Sequence, residues 1–256
     1  MKVAAIGLAA AALAAGAGWA VWERSAPVVL AVHPATGDVP ANFLRLYVDF
    51  SGPMGGDDVF EHVRMLDASG RPIPDAFREL ELWSRNRTRL MVYVHPGRVK
   101  TGLAMGDDFG PVLEAGKGYT LEILPGMKSA GGRAVRQGFR RPLRAGPPDL
   151  QRPDLSRWRL GPKPDRLAVE CDEWMDQAGL ETWLSVEGVP GRWEILGRSA
   201  TFFPERALAP GRYALVVDAR LEDICGNSFQ RPFESPPDAV RPEDLPATFS
   251  RPFTIP

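Results

Sequence analysis

The chain has 256 residues and a formal net charge of -1: room for one large or two ordinary domains, and no overall field to draw it to nucleic acid or an anionic membrane. It is 44% hydrophobic and 25% charged, a globular balance rather than a disordered one. Two cysteines, Cys171 and Cys225, are too few for a disulfide-dense scaffold, and 26 glycines with 25 prolines interrupt the chain too often for long helices.

The first element, residues 1–25, is a targeting segment. "MKVAAIGLAAAALAAGAGWAVW" has one lysine and then an uncharged run from Val3 to Trp22. Ala15 and Ala17 offer an A-x-A cleavage site. The run is also close to the roughly 20 residues that span a bilayer, with Trp19 and Trp22 suited to the interface and Glu23 and Arg24 beyond it. Both a cleaved signal peptide and a retained anchor fit. No cysteine lies near the segment, so bacterial-type lipidation at this end is excluded. Either way the rest of the protein is expected outside the cytoplasm, in the periplasm, at the cell surface or secreted, touching a membrane only through this segment if it is retained.

From Ala26 onward the pattern is β. In "LRLYVDF" Leu44, Leu46, Val48 and Phe50 alternate with Arg45, Tyr47 and Asp49, which places one set inward and the other outward. "RLMVYVH", "GYTLEIL", "RLAVEC", "TWLSVEG", "SATFF" and "YALVVDA" read the same way, separated by turn signals such as "ASGRP", "HPGR", "EGVPG" and "CGNS". Strands at this spacing without useful helices predict a sandwich or barrel. The stretch "RLEDICGNSFQRPF", Arg220–Phe233, reads as a hairpin connection: a strand ends at Ala219, another begins at Phe229, Gly226-Asn227 tolerates positive φ, and Asp223 bonds amides two residues on.

The chain also repeats itself. "LRLYVDFSGPM" aligns with "DRLAVECDEWM", "NRTRLMVYVHPGR" with "LGRSATFFPER", "LEAGKGYTLEIL" with "LAPGRYALVVD", and "GGRAVRQGFRRPL" with "CGNSFQRPF". Four matches in one order imply two copies of one β unit. The expected domains are 26–146 and 158–256, joined by a Pro-rich linker at 147–157. Leu46, Val48, Phe50, Tyr119 and Leu121 are expected in the first core, and Leu167, Val169, Tyr213, Leu215 and Val217 in the second.

Particular residues resemble the bacterial Ig-like domain of the SbsA type. Pro34, Gly37, Val39 and Pro40 match its opening P-x-x-G-x-x-V-P segment; Phe50, Ser51, Pro53 and Met54 match the strand ending F-S-x-P-M; Asp223, Gly226 and Asn227 match the closing D-x-x-G-N turn. The second copy departs where Cys171 replaces the Phe, and the first where "SAGGR" lacks the Asn. The resemblance covers both units and implies an all-β chain: two tandem Ig-like β-sandwich domains after the N-terminal segment. It also implies spacer or surface-display modules of exported bacterial proteins, and brings no catalytic residues. In such a sandwich the ends of the second and sixth strands emerge together, which suggests a disulfide between Cys171 and Cys225, with two free thiols, one buried and one exposed, as the alternative.

Signatures of chemistry are sparse. There is no G-x-S-x-G, no P-loop, no H-E-x-x-H and no C-x-x-C. His33, His62 and His95 are far apart, and two precede proline. The acid doublets Asp57/Asp58, Asp107/Asp108 and Glu222/Asp223 cannot each form a glycosidase pair, because neighbours on a strand point to opposite faces. "GDDFG", Gly106–Gly110, offers the best calcium loop but lacks further ligands at alternating spacing. Trp83, Trp158, Trp174, Trp183 and Trp193 are expected in the cores rather than as an exposed sugar-stacking row. No catalytic, cofactor-binding or metal-binding residue is assigned. The expected function is an exported, non-catalytic structural or binding module at the cell envelope, with an envelope protein or a glycan as partner; a carbohydrate-active or other hydrolytic enzyme is the alternative.

Overall fold

A strand forms here wherever alternation gives one face apolar residues to bury. The computed structural model describes residues 26–35, 37–55, 58–100, 104–235 and 246–256; the expected signal or anchor segment, residues 1–25, lies outside them. Among the described residues no helix is long and apolar enough to cross a membrane.

The first half supplies β1 (Val29–His33), β2 (Asp38–Pro40), β3 (Arg45–Phe50), β4 (Val63–Leu66), β5 (Phe77–Trp83), β6 (Arg89–Val94), β7 (Gly118–Ile123) and β8 (Phe139–Gly146). One sheet has the order β1-β3-β6-β5. A second contains β8, β7 and β4 in that order, with Tyr119 opposite Leu143 and Leu121 opposite Met65. In β6 the alternation is plain: Leu90 and Val92 are buried between the half-buried Arg89, Met91 and Tyr93. Leu46, Val48 and Phe50 from one sheet and Tyr119, Leu121 and Ile123 from the other are all buried.

The second half supplies β9 (Arg159–Lys163), β10 (Arg166–Glu170), β11 (Leu184–Val186), β12 (Gly191–Leu196), β13 (Ser199–Pro204), β14 (Gly211–Asp218) and β15 (Thr248–Ile255). They form the sheets β12-β13-β10-β9 and β11-β14-β15. Leu167 and Val169 of β10, with Ala200 and Phe202 of β13, meet Val186, Leu215, Val217, Phe253 and Ile255 from the other sheet in one buried cluster, which Trp158, Met175 and Leu180 complete. Lettered A to G in chain order, β9 to β15 give an ABED sheet and a CFG sheet, the arrangement of the constant-type immunoglobulin sandwich. Taking β1 as A and β3 to β8 as B to G, the first half has the same order. The protein is all-β, and its sandwiches are Ig-like.

Helices are short: α1 (Val59–His62), α2 (Pro96–Val99), α3 (Ala104–Phe109) and α4 (Gln177–Trp183). The last corrects the sequence reading, for Thr182 and Trp183 end α4 and only Leu184 onward is strand. Tyr213 is corrected too. It is half-buried near the start of β14, stacked on Phe253 at 5.7 Å, with its hydroxyl donating to the Ala209 carbonyl.

Contacts sort the chain into two units. The first contains β1, residues 46–93 and residues 118–144; the second contains residues 34–45, 94–117 and 145–256. Within the second unit, β2 leads into Ala41, whose amide donates to the Gly146 carbonyl.

Candidate functional site

The stretch Arg220–Phe233 is not the hairpin connection its turn residues suggested. After β14 the chain does not return as a strand at Phe229; β14 lies between β11 and β15, with Leu215 opposite Arg251 and Asp218 opposite Thr248 of β15. Phe229 enters the core instead, edge-on to Trp158 at 5.8 Å. What forms between is a small closed loop. The Asp223 amide donates to the Asn227 carbonyl and the Gly226 amide to the Asp223 carbonyl, at 2.9 and 3.2 Å. Gly226 sits at φ +83, and a Cβ there would lie 2.8 Å from Leu44 Cδ1; glycine is needed both for the left-handed backbone and for the close approach.

Asp223 organises the loop. It is 1% exposed. Its Oδ1 accepts from the amides of Cys225 at 2.7 Å and Asn227 at 2.9 Å, and its Oδ2 accepts from Asn227 Nδ2 at 2.8 Å. Asn227, fully buried, also donates Nδ2 to the Asp149 carbonyl and accepts the Phe233 amide at Oδ1. The same Asp149 carbonyl accepts from Asn42 Nδ2 at 2.7 Å, while Asn42 Oδ1 accepts the Asp149 amide. Arg45 Nη1 donates to the Asp223 carbonyl at 3.0 Å, and Arg45 Nη2 pairs with Glu222 Oε2. Every polar atom of the Asn227 side chain is thus engaged, as burial requires.

Negative charge accumulates around this loop. One ligand atom each of Asp149, Asp223 and Cys225 lies within 4.8 Å of the others. Burial pushes the Asp223 carboxyl up to about 7, against the hydrogen bonds from Asn227 and Cys225, which lower it. Burial, reinforced by the carboxylates of Asp223, Asp149 and Asp172, pushes Glu173 up to about 8. Burial and then the carboxylates of Asp223, Asp149 and Glu173 push the Cys225 thiol up as well.

Cys171 and Cys225 are both buried free thiols, not bonded to each other. Cys171 packs in the apolar cluster with Met175 and Leu180, whereas Cys225 faces the carboxylates. The expected exposed position for one of the two is therefore corrected: the loop turns Cys225 inward, because Asp223 holds its amide.

The other sequence candidates do not converge. His33 Nε2 lies 3.3 Å from Asp49 Oδ2, and His62 Nε2 lies 3.4 Å from Asp58 Oδ2. His95 Nδ1 accepts the Gly97 amide and caps α2. Among the described residues no grouping of metal-ligating side chains includes a histidine. Asp57 and the side chain of Asp107 lie outside those described. Gly106–Phe109 is the end of α3 rather than an open loop, stopped by Gly110 at φ +71. The buried Arg98 donates to the carbonyls of Phe109 and Gly110 at 3.2 and 2.9 Å, so a guanidinium holds oxygens a calcium ion would need. None of the five tryptophans is exposed. Trp83 packs on Phe50, Trp193 on Phe202, and Arg220 covers Trp183 at 3.8 Å.

Three clefts of the second unit bring no two acids together. One of about 290 Å³ holds Glu222, already paired with Arg45. One of about 590 Å³ holds Asp154, whose carboxylate accepts the Ser156 amide and hydroxyl. The third, about 260 Å³, holds Glu170, paired with Arg159 at 2.7 Å. Each has one carboxylate, and each carboxylate is engaged.

No family model matches the sequence, and no curated protein matches it. Among solved structures the chain is similar to a fragment of Escherichia coli α2-macroglobulin spanning domains MG0, NIE and MG1, with 12% identity and a TM-score of 0.32 over 76% of this chain and 67% of that one. It is also similar to the S-layer protein SbsC, in a fragment of residues 31–844 and in one of domains 1–6, each with 11% identity and a TM-score of 0.35. This chain is covered to 98% in both cases, but it spans only 43% of the S-layer chains.

Proposed function

We propose that the chain is an exported, non-catalytic Ig-like module with a structural or binding role at the bacterial cell envelope, its two sandwiches lying at 26–146 and 158–256 with 147–157 as linker. One observation carries this reading. The Asp223 carboxylate, the most buried acid among the described residues, accepts three N–H bonds that fix its own loop, and the carboxylates of the clefts are engaged as well. Polar groups that resemble a site in the sequence act as fasteners. Residues 1–25 supply the export, and the partner is an envelope protein or a glycan.

Fractionation of cells producing the full chain tests this. The chain is expected in the envelope or periplasmic fraction, and in the cytoplasm when residues 1–25 are deleted. Recovery of the full chain in the cytoplasm would refute the proposal.

A hydrolytic enzyme is the second reading, and Glu173 is what favours it. A carboxyl pushed up to about 8 stays protonated at neutral pH, the state a general acid needs. Its substitution separates the two readings.

A further inference from the structure

The fastening explains Asp223 and Asn227 but not Cys225. A small apolar side chain would suit a buried position in a loop better than a thiol facing acids. Cys225 is 1% exposed, and among the described residues no hydrogen bond reaches its sulfur. Its Sγ lies within 4.8 Å of carboxylate oxygens of both Asp149 and Asp223. Both acids are held in place from behind. Asp223 Oδ2 accepts a single bond, from Asn227 Nδ2, which leaves a lone pair. Asp149 is fixed through its main chain by Asn42 and Asn227, and its Oδ1 accepts the Gln151 amide. Arg45, a cation at this loop, is engaged by the Asp223 carbonyl and by Glu222. Two oriented carboxylates and a buried thiol thus face one another with positive charge directed elsewhere.

We propose that Asp149, Asp223 and Cys225 form a structural binding site for a borderline-soft divalent cation, with zinc as the ion of reference. Thiolate sulfur binds zinc at about 2.3 Å and carboxylate oxygen at about 2.0–2.2 Å, so the three ligand atoms close in slightly on binding. The thiol proton leaves to solvent as the metal–sulfur bond forms. Sulfur in the ligand set disfavours magnesium and calcium, which take oxygen shells. The bound ion joins the segment after β8, which carries Asp149, to the loop after β14. Asp223 and Cys225 are buried and Asp149 is half-buried, so water completes a shell of four on the Asp149 side. The proposal extends the reading of this loop as a fastener, and its test reads metal rather than cellular address, so either can fail without the other.

The experiment uses the full chain in detergent, stripped with chelator and titrated with cobalt(II) and then zinc. The expected result is one cobalt per chain with a thiolate-to-cobalt charge-transfer band that zinc abolishes. Cys225→Ser should lose the band, Asp149→Asn should weaken binding by about tenfold or more, and Cys171→Ser should change neither. Absence of the band, its persistence in Cys225→Ser, or unchanged affinity in Asp149→Asn would overturn the proposal. X-ray absorption of the zinc-loaded wild-type chain is independent of any variant's folding. One sulfur among oxygen neighbours is expected, and a shell without sulfur would overturn the assignment.

Discussion

Replacing Asp223 by alanine removes one carboxylate and three accepted hydrogen bonds, those from the Cys225 amide, the Asn227 amide and Asn227 Nδ2. Two of these donors are main-chain amides of residues no more than 1% exposed, and water does not replace the lost oxygen. A buried donor left without a partner costs about 1–3 kcal/mol. Relief of the burial that pushes the Asp223 carboxyl up to about 7 offsets part of this. The net cost of Asp223→Ala is set at about 3 kcal/mol, well above the value for a single exposed turn bond. Asp223→Asn keeps an oxygen for the two amides and loses the acceptor for Asn227 Nδ2, so about 1 kcal/mol is expected. The assay is urea unfolding of the full chain with chelator present throughout, so that metal does not contribute, and with equal m-values required of all variants. A cost below about 1 kcal/mol for Asp223→Ala, or equal costs for the two variants, would refute the fastening role.

Gly226→Ala should cost about 2 kcal/mol, read as a lower melting temperature, since the new Cβ meets Leu44 Cδ1 at 2.8 Å and the backbone stands at φ +83. Asp49 gives the clearest pH effect: burial alone would raise its carboxyl, but the hydrogen bonds from His33 and Arg89 hold it at about 2. A carboxyl lowered in the folded state contributes stability above its unfolded value of 3.8 and loses it as pH falls toward 2. About 1 kcal/mol, discounted for its partial exposure, should vanish over that window, and urea midpoints of Asp49→Asn should show the shallower acid slope. Both cysteines are buried and unbonded. A thiol reagent should therefore titrate two groups in the unfolded, unreduced chain and none in the native one; native labelling of Cys225 would contradict its inward position.

The parts of the fold legible in the sequence are the strands that bury one full face. β3, β6, β10 and β14 carry alternating apolar residues because they form the middle of their sheets. Edge strands carry no such signal: β12 buries no residue fully, and β5 buries only Phe77, so nothing in their composition separates strand from loop. The loop at Asp223 was recognisable as a turn from Gly226 and Asn227, since both identities are dictated locally. That β14 pairs with β15 rather than with Phe229–Phe233 was not, because local turn chemistry is silent on which later segment completes the sheet. Asp149 and Glu173 went unmarked for the same reason. One lies in the Pro-rich stretch 147–157 and the other in "CDEWM", and only the fold brings their carboxyl groups toward Cys225.

The most direct test of the central claim is Glu173→Gln in the full chain, scored for melting temperature and, in a strain deleted for the chain, for rescue of any defect that the wild-type chain restores. Glutamine preserves the size of the neutral carboxyl but cannot transfer its proton. A structural module predicts a native or higher melting temperature and full rescue. Loss of rescue at native stability, with Glu173→Asp, which keeps a carboxyl to transfer a proton, restoring it, would show that Glu173 does chemistry and that the non-catalytic account is wrong.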